Sequence, residues 1–291
     1  MARAKPTPPI KRTVKDLRRQ IAQFRKNGER VALVPTMGAL HEGHLTLVRT
    51  AKRKAERVVV SIFVNPTQFG PNEDLARYPR DEAGDLAKLA EVGADLVWSP
   101  NPEEMYPAGF ATSIEVKGAA EGLEGAFRPH HFGGVATVCC KLFSQVTPDV
   151  AVFGEKDYQQ LCVIRQMVRD LNLPLAIHGV PTVREKDGLA LSSRNRYLSA
   201  EERAAAPALA AAIRDVAQKA ANGARQQSVI KSATAALKRA GFDPIDYIAT
   251  ADAETLSPWT STSGRPGRVL VAARLGTTRL IDNVPIPPPA S

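Results

Sequence analysis

The chain has 291 residues, of which 44% are hydrophobic, 24% charged and 5% aromatic, and these proportions exclude a disordered or fibrous protein. Its apolar stretches are far shorter than the roughly 18 residues of a membrane helix, which excludes a membrane-spanning protein. The net charge is +9, but residues 1–30 carry ten basic and two acidic side chains, and the remainder is nearly neutral with 29 and 28. A nucleic-acid partner is therefore not expected.

The basic start of the chain predicts an amphipathic helix from about Thr13, with Val14, Leu17, Ile21 and Phe24 on one face. Its charged residues are interpreted as a solvated face of that helix. The segment lacks the apolar centre of a signal peptide, so we do not expect export.

Strands and helices alternate over the first 180 residues. The predicted strands are short apolar runs, at 31–34, 58–64, 94–99, 149–154 and 174–180. The predicted helices lie between them, at 45–55, 81–92, 134–146 and 157–171. This alternation predicts an α/β fold, a doubly wound parallel sheet with helices on both faces. Ligands of such sheets bind at the carboxyl ends of the strands.

The pattern changes in the last third of the chain. Two alanine-rich helices are predicted at 200–221 and 226–240, followed by strands at 246–251, 268–274 and 277–283. Helices followed by strands indicate a smaller α+β domain rather than more of the parallel sheet. We therefore predict two domains, 1–184 and 185–291.

The three cysteines are Cys139, Cys140 and Cys162. An odd number of cysteines without a signal peptide predicts a reducing compartment, the cytoplasm. All three lie in apolar helical patterns, which favours buried side chains over metal ligands.

The segment VALVPTMGALHEGHLTLV, residues 31–48, carries the clearest chemical signal. It predicts a buried strand, a turn and a helix, with His41 and His44 three residues apart at the helix start. A helix N-terminus favours an anion such as phosphate, and imidazoles there can donate hydrogen bonds to its oxygens. Gly43 between them leaves room for close approach. Two ordinary surface histidines are the alternative.

Polar residues follow the other predicted strands in the same way. Asn65 and Gln68 come after the strand at 58–64, although Asn65-Pro66 is also typical of a simple turn. In the segment GEKD, Lys156 offers a mobile cation for phosphate and Asp157 can cap the next helix, with Gln160 on the same face. The segment SSRN, residues 192–195, can close over a triphosphate or serve as a polar linker.

The set of motifs resembles a known family. His41-x-Gly-His44 resembles the HxGH signature of nucleotidyltransferases. Together with the segments 64–80, 128–143, 153–161, 188–198 and 279–283, it is similar to the pantoate–β-alanine ligase family over nearly the whole chain. This resemblance implies a Rossmann-like sheet and an enzyme that makes pantothenate from ATP, (R)-pantoate and β-alanine through a pantoyl adenylate. It also implies a homodimer, with no membrane or nucleic-acid partner.

The resemblance also implies roles for individual residues. His41, His44 and Lys156 are expected to stabilise charge on the phosphates, with His44 as proton donor. The expected ATP ligands occupy four short segments: Met37, Gly38, Ala39, Leu40, His41, Glu42, Gly43, His44, Gly154, Glu155, Lys156, Asp157, Val183, Leu191, Ser192, Ser193 and Arg194. Gln68 and Gln160 are expected to bind pantoate, and Gln68 also β-alanine.

Mg²⁺ is expected to bridge phosphate oxygens of ATP. Its protein ligands stay open; Asp85 is a weak candidate and is not part of the predicted site. The main alternative function is another adenylyl-transferring member of the HxGH superfamily. A nucleic-acid-binding protein that uses the basic N-terminal helix is a third.

Three further features depart from the family pattern or stay ambiguous. His130 stands where the family usually has glycine, and a histidine there would be strained at positive φ. Leu191 stands where the family usually has methionine, and the backbone of Leu191 is still expected to contact the adenine. Glu124 and Arg128 flank a Gly-rich stretch, which can form a flap or carry an exposed ion pair.

Overall fold

The computed structural model describes residues 6–71 and 73–287. The chain forms two compact units. The first comprises residues up to 117 together with 128–155 and 163–181. The second comprises 118–127, 156–162 and the chain from Thr182 onward. Its longest segment starts at Thr182, and its two short segments come from earlier in the sequence.

A six-stranded sheet forms the centre of the first unit. Its strands are β1 (Ile10–Lys11), β2 (Val31–Thr36), β3 (Arg57–Ile62), β4 (Leu96–Trp98), β5 (Val150–Gly154) and β6 (Ala176–Val180). They pair in the order β1-β4-β3-β2-β5-β6, and every pair is parallel. The predicted doubly wound parallel sheet is therefore confirmed. The edge strand β1 was not predicted.

The first unit's helices are α1 (Val14–Lys26), α2 (Glu42–Lys52), α3 (Glu82–Val92), α4 (Pro102–Met105) and α6 (His131–Val146). A further helix, α7 (Tyr158–Asp170), runs from residues of the second unit into the first. Side chains of β2 such as Ala32 and Val34 join Val48 of α2 and Leu89 of α3 in one buried cluster. The fully buried valines of β2 and β3 explain why these strands read as continuous apolar runs.

The strand order places a switch point between β2 and β5. From β2 the chain continues to β3 and β4 on one side of the sheet, whereas β5 and β6 extend it on the other. Crevices at such a point, beyond the carboxyl ends of the strands, are the usual ligand sites of open α/β sheets. The predicted turns after Thr36 and Gly154 both leave the sheet there.

The second unit contains α5 (Leu123–Phe127), α8 (Ala200–Ala205), α9 (Ala208–Ala221) and α10 (Gln226–Arg239). Its strands β7 (Phe242–Asp252), β8 (Gly267–Leu275) and β9 (Thr278–Pro285) form an antiparallel sheet in that order. The α+β prediction is confirmed, but the single helix predicted over 200–221 is wrong. It is two helices, because Pro207 cannot donate a backbone hydrogen bond and breaks the run.

Helices and sheet of the second unit share one apolar core. Ile213 of α9, Leu237 of α10 and Val269 of β8 are fully buried in it.

In the part of the chain that the structure describes, no helix is both long and apolar enough to cross a membrane.

Candidate active site

The turn after β2 has an unusual backbone. Gly38 and Ala39 both have positive φ, 79° and 50°. This left-handed region suits glycine and costs an alanine roughly 1–2 kcal/mol. The turn delivers His41 as the residue preceding α2, which begins at Glu42. The helix N-terminus predicted from the HxGH segment is therefore present, three residues earlier than the helix predicted at 45–55.

A buried carboxylate from α3 holds this turn. Asp85 is 1% exposed, and its two oxygens accept hydrogen bonds from the amides of Ala39 (2.8 Å) and Leu40 (2.7 Å). Lys88, one helical turn later, donates from Nζ to the Leu40 carbonyl at 2.8 Å. Burial raises the pKa of Asp85, while the two amide hydrogen bonds act in the opposite direction. Asp85 thus stabilises the strained turn, a role that the sequence did not indicate.

The two histidines of the turn are in direct contact. Their ring centroids are 4.1 Å apart, and the backbone N–H of His41 donates to Nδ1 of His44 at 3.3 Å. Because Nδ1 accepts a hydrogen bond, a neutral His44 carries its proton on Nε2. His44 is therefore held as an Nε2–H donor. Glu42, in the first turn of α2, pairs with Arg49 on the same helix.

Gln68 is oriented by Asn65, which lies beyond the end of β3. The Asn65 amide donates from Nδ2 to Gln68 Oε1 at 3.1 Å, and its Oδ1 accepts from the hydroxyl of Tyr106 at 2.8 Å. The Gln68 nitrogen then points to the sulfur of Met37 at 3.1 Å. Asn65 also caps the short helix Pro66–Gln68. The turn expected at Asn65-Pro66 is therefore present, and Gln68 contacts Met37 of the turn after β2.

The backbone of Gln68 is fixed by the segment before and at the start of α6. Its carbonyl accepts from Arg128 at 3.2 Å and lies 2.9 Å from Nδ1 of His131. Arg128 also makes a bidentate ion pair with Glu73, at 2.7 and 2.5 Å. Burial acts to raise the pKa of Glu73, but Arg128, together with the charge of His131 and a hydrogen bond from the Gly70 backbone, lowers that pKa overall. His130 has φ −94°, so the strain expected at this position does not arise.

The sequence left open an exposed ion pair for Glu124 and Arg128, but Glu124 is only 6% exposed. Glu124 is buried in the second unit, where Arg279 contacts both its oxygens at 2.6 and 2.9 Å. Arg279 also donates to Asp246 at 2.7 Å. Gln159 holds the preceding residues, because its amide accepts from the Glu124 N–H at 3.0 Å and donates to the Ala119 carbonyl at 3.0 Å. Gln159, which is 4% exposed, is the neighbour of the predicted Gln160 and was not indicated by the sequence.

Lys156 lies in a short helical turn, Glu155–Asp157, directly after β5. Its carbonyl accepts a hydrogen bond from the Asn283 amide of β9 at 2.9 Å. Gly154, the last residue of β5, pairs with Val180 of β6. The turn predicted from the GEKD segment is therefore present, at the end of the strand that neighbours β2.

The predicted ATP residues of the second unit form a hairpin and a capped turn. Leu191 donates its N–H to the Val183 carbonyl at 3.0 Å, so these two residues are neighbours across the hairpin. Ser192 caps the short helix Ser193–Tyr197 by accepting from the Arg194 N–H at 3.3 Å. The SSRN segment thus forms a capped helical turn.

The structure brings the predicted residues together in separate groups. Within the first unit, Met37 at the start of the segment 37–44 contacts Gln68. Within the second, Val183 meets Leu191 and the capped turn at Ser192. Among residues 6–71 and 73–287, no group of three or more His, Cys, Asp or Glu side chains is placed to hold a metal ion. Because the backbone uses both oxygens of Asp85, this residue also fits poorly as a metal ligand.

A parallel α/β sheet with a histidine-bearing helix N-terminus at its switch point is typical of proteins that bind a nucleotide phosphate. Comparisons with known proteins make this class specific. Residues 9–285 match the family model described as pantoate-beta-alanine ligase. The chain therefore belongs to the pantoate–β-alanine ligase family, whose members are enzymes that form pantothenate with ATP.

Curated relatives agree over almost the whole chain. A pantothenate synthetase of Mesorhizobium japonicum is 57% identical over 280 residues, covering 96% of this chain and 98% of its own. One from Bradyrhizobium is 55% identical over 281 residues, with 96% and 99% coverage. These matches favour the ligase over another adenylyl-transferring enzyme.

Solved structures of the family share the fold. The pantothenate synthetase of Thermus thermophilus is 49% identical and superimposes with a TM-score of 0.89, covering 96% of this chain and all of that one. The pantoate–β-alanine ligase of Francisella tularensis, solved with β-γ ATP and β-alanine, is 33% identical with a TM-score of 0.80 and covers 97% of this chain.

Proposed function

We propose that this chain joins (R)-pantoate to β-alanine in two steps on one nucleotide site. In the first step the pantoate carboxylate attacks the α-phosphorus of ATP, and the P–O bond to pyrophosphate breaks. In the second step the amine of β-alanine attacks the acyl carbon, and the C–O bond to AMP breaks. The observation that carries the proposal is the helix N-terminus of α2, which presents His41 and His44 at the switch point of the sheet.

In this proposal His44 is the proton donor and His41 and Lys156 stabilise phosphate charge. The hydrogen bond from the His41 amide to Nδ1 of His44 supports the role, because it places the transferable proton on Nε2. The chain needs no nucleophile of its own, since both attacking groups come from substrates. Catalysis then consists of alignment and of electrostatic stabilisation of the charge that develops on the phosphates.

The remaining predicted residues keep their proposed roles. Residues 37–44, 154–157 and 191–194 with Val183 contact ATP, and Gln68 and Gln160 bind pantoate. The orientation of Gln68 supports its part, because Asn65 occupies Oε1 and directs the amide nitrogen toward Met37. An amide nitrogen donates to carboxylate and hydroxyl oxygens, and both kinds of oxygen occur in pantoate. Gln68 is also proposed to contact β-alanine.

We propose that Mg²⁺ enters with ATP, bound mainly by phosphate oxygens and water. Magnesium commonly keeps most of its water and takes few protein ligands, which suits a chain without a three-ligand cluster in its described residues. The first predicted domain is proposed to bind ATP and pantoate and the second to act as a lid. By family resemblance we further propose a homodimer in the cytoplasm. The three free thiols are consistent with that compartment.

A substrate-omission assay tests the proposed reaction. The protein is incubated with ATP, Mg²⁺, pantoate and β-alanine, and pyrophosphate and AMP are measured with each component left out in turn. We expect pyrophosphate release to require pantoate but not β-alanine, and AMP release to require both. Pyrophosphate release without pantoate would instead indicate a different adenylyl acceptor.

A further inference from the structure

The segment RLIDN near the C-terminus matches the family, yet it lies in a strand and the proposed chemistry does not use it. Its last two residues, Asp282 and Asn283 of β9, are each only 3% exposed. Polar side chains buried to this extent need hydrogen-bond partners. Their partners show what the segment does.

Asn283 uses both ends of its amide. Its Oδ1 accepts from Nε of Arg268 at 2.6 Å, and its Nδ2 donates to the backbone carbonyl of Lys156 at 2.9 Å. Because a guanidinium can only donate, the Arg268 contact determines which end of the amide is oxygen. The nitrogen is therefore directed at Lys156, 127 residues earlier in the chain.

The side chain of Asp282 fixes the backbone of Asn283. Its Oδ1 accepts from the backbone N–H of Asn283 at 2.7 Å, and both its oxygens pair with Arg184 at 2.7 and 2.9 Å. Arg184 also donates to the Asn283 carbonyl at 3.2 Å. The backbone of Asn283 is therefore fixed on both sides of its side chain, which limits where its amide can point.

The residue two positions after Lys156 is held by the same strands. The guanidinium carbon of Arg268 lies 3.7 Å from the ring centroid of Tyr158, and the Tyr158 hydroxyl donates to the Ala253 carbonyl at 2.7 Å. Arg268 thus contacts both Asn283 and Tyr158. The turn is therefore restrained at Lys156 and at Tyr158, the residues on either side of Asp157.

We infer that Asn283 is a positioning residue for Lys156: its amide fixes the backbone from which the lysine reaches the transferring phosphate. The inference rests on the proposed role of Lys156. A cation on a long flexible side chain is effective only if its backbone is held in place beforehand. The RLIDN segment supplies that restraint from the far end of the chain.

The test uses Asn283→Asp, because an aspartate of the same size keeps an acceptor for Arg268 and replaces the donation to the Lys156 carbonyl by a carboxylate oxygen. Pantoate-dependent pyrophosphate release is measured for the full-length protein, for Asn283→Asp, for Lys156→Ala and for the double variant. We expect Lys156→Ala to lower kcat at least ~10²-fold. Asn283→Asp should lower it about tenfold, the scale of one buried hydrogen bond.

The double variant separates positioning from general destabilisation. If Asn283 acts through Lys156, Asn283→Asp has no further effect once the lysine is absent, so the double variant matches Lys156→Ala. Multiplying effects, or normal kcat in Asn283→Asp, would overturn the inference. Normal kcat in Lys156→Ala would instead contradict the proposed role of the lysine.

Two controls accompany this cycle. Arg274→Ala removes an exposed side chain from β8, in the same sheet, and should leave kcat unchanged. Thermal unfolding of each variant is followed in parallel. If Asn283→Asp fails to fold, Asn283→Ser is used in the same cycle, because serine adds no charge and shortens the side chain that donates to Lys156.

Discussion

Two turns leave the sheet at its switch point, and they are held by different means. The turn after β2 is held locally in the fold of the first unit, where Asp85 and Lys88 of α3 bind its backbone. The turn that carries Lys156 is held by Asn283, in the last strand of the chain. Both turns present groups for the same phosphates in the proposed reaction, yet only the first depends on the first unit alone.

The comparison shows how a site can be made sensitive to a distant segment. A carboxylate that binds two amides is a strong and local restraint, whereas one neutral amide bound to one carbonyl is weaker. Changes near α3 should therefore affect both folding and nucleotide binding. Changes in β9 should act mainly on the chemical step.

The largest effect is expected from the histidine that the first turn positions. His44→Ala should lower kcat at least ~10²-fold, because it removes the proposed proton donor and a charge-stabilising group. Initial rates of AMP formation under saturating substrates measure this. His178→Ala, in the edge strand β6, is the matched control and should keep normal kcat. Near-normal turnover in His44→Ala would refute its assigned role.

The next effect is expected from the residue that holds the first turn. Asp85→Ala leaves two buried amides without their acceptor, at about 1–3 kcal/mol each in the free energy of unfolding. The KM for ATP should rise at the same time, because Ala39 and Leu40 belong to the proposed nucleotide site. Urea unfolding and steady-state kinetics measure the two effects. Asp170→Ala, at the exposed end of α7, serves as control, and an unchanged KM in Asp85→Ala would show that the turn is held by other contacts.

The smallest effect is expected from a glycine pair that separates backbone strain from crowding. Gly28 and Gly38 have similar φ, 73° and 79°, but an added Cβ at Gly28 meets nothing within 4 Å. At Gly38 it would lie 3.0 Å from Oδ2 of Asp85 and 3.2 Å from Ile62. Both alanine variants should lose about 1–2 kcal/mol from positive φ. Only Gly38→Ala should lose more and also weaken ATP binding; equal effects would mean that the turn tolerates the added atom.

Much of the fold could be predicted because buried strands and helices appear in the sequence as apolar runs and periodic apolar positions. The valine-rich β3 and the strands beside it read as apolar runs, and the His41-x-Gly-His44 turn sits between a strand and a helix as expected. The two-residue β1 could not be predicted, since its pairing with β4 depends on the neighbouring strand rather than on its own pattern. The break at Pro207 has a visible signal in the sequence, a proline inside an alanine-rich run.

The restraints around the site were harder to predict. Asp85 occupies a first-turn position of a helix, where an acidic residue is ordinarily explained by the helix dipole. Asn283 lies in a strand, where alternation indicates a face but not a partner. Glu124 and Arg128 are four residues apart, yet each pairs with a residue distant in sequence, Arg279 and Glu73. Such contacts depend on the completed tertiary structure.

The short first strand has a practical consequence for handling the protein. The carbonyls of Pro9 and Lys11 accept hydrogen bonds from the Val97 and Ser99 amides at 2.9 and 3.0 Å, so this segment covers the open side of β4. Shortening the chain past Lys11 would leave those amides available to the backbone of another molecule, a common route to aggregation. Purification tags and truncations are therefore best placed before Pro9.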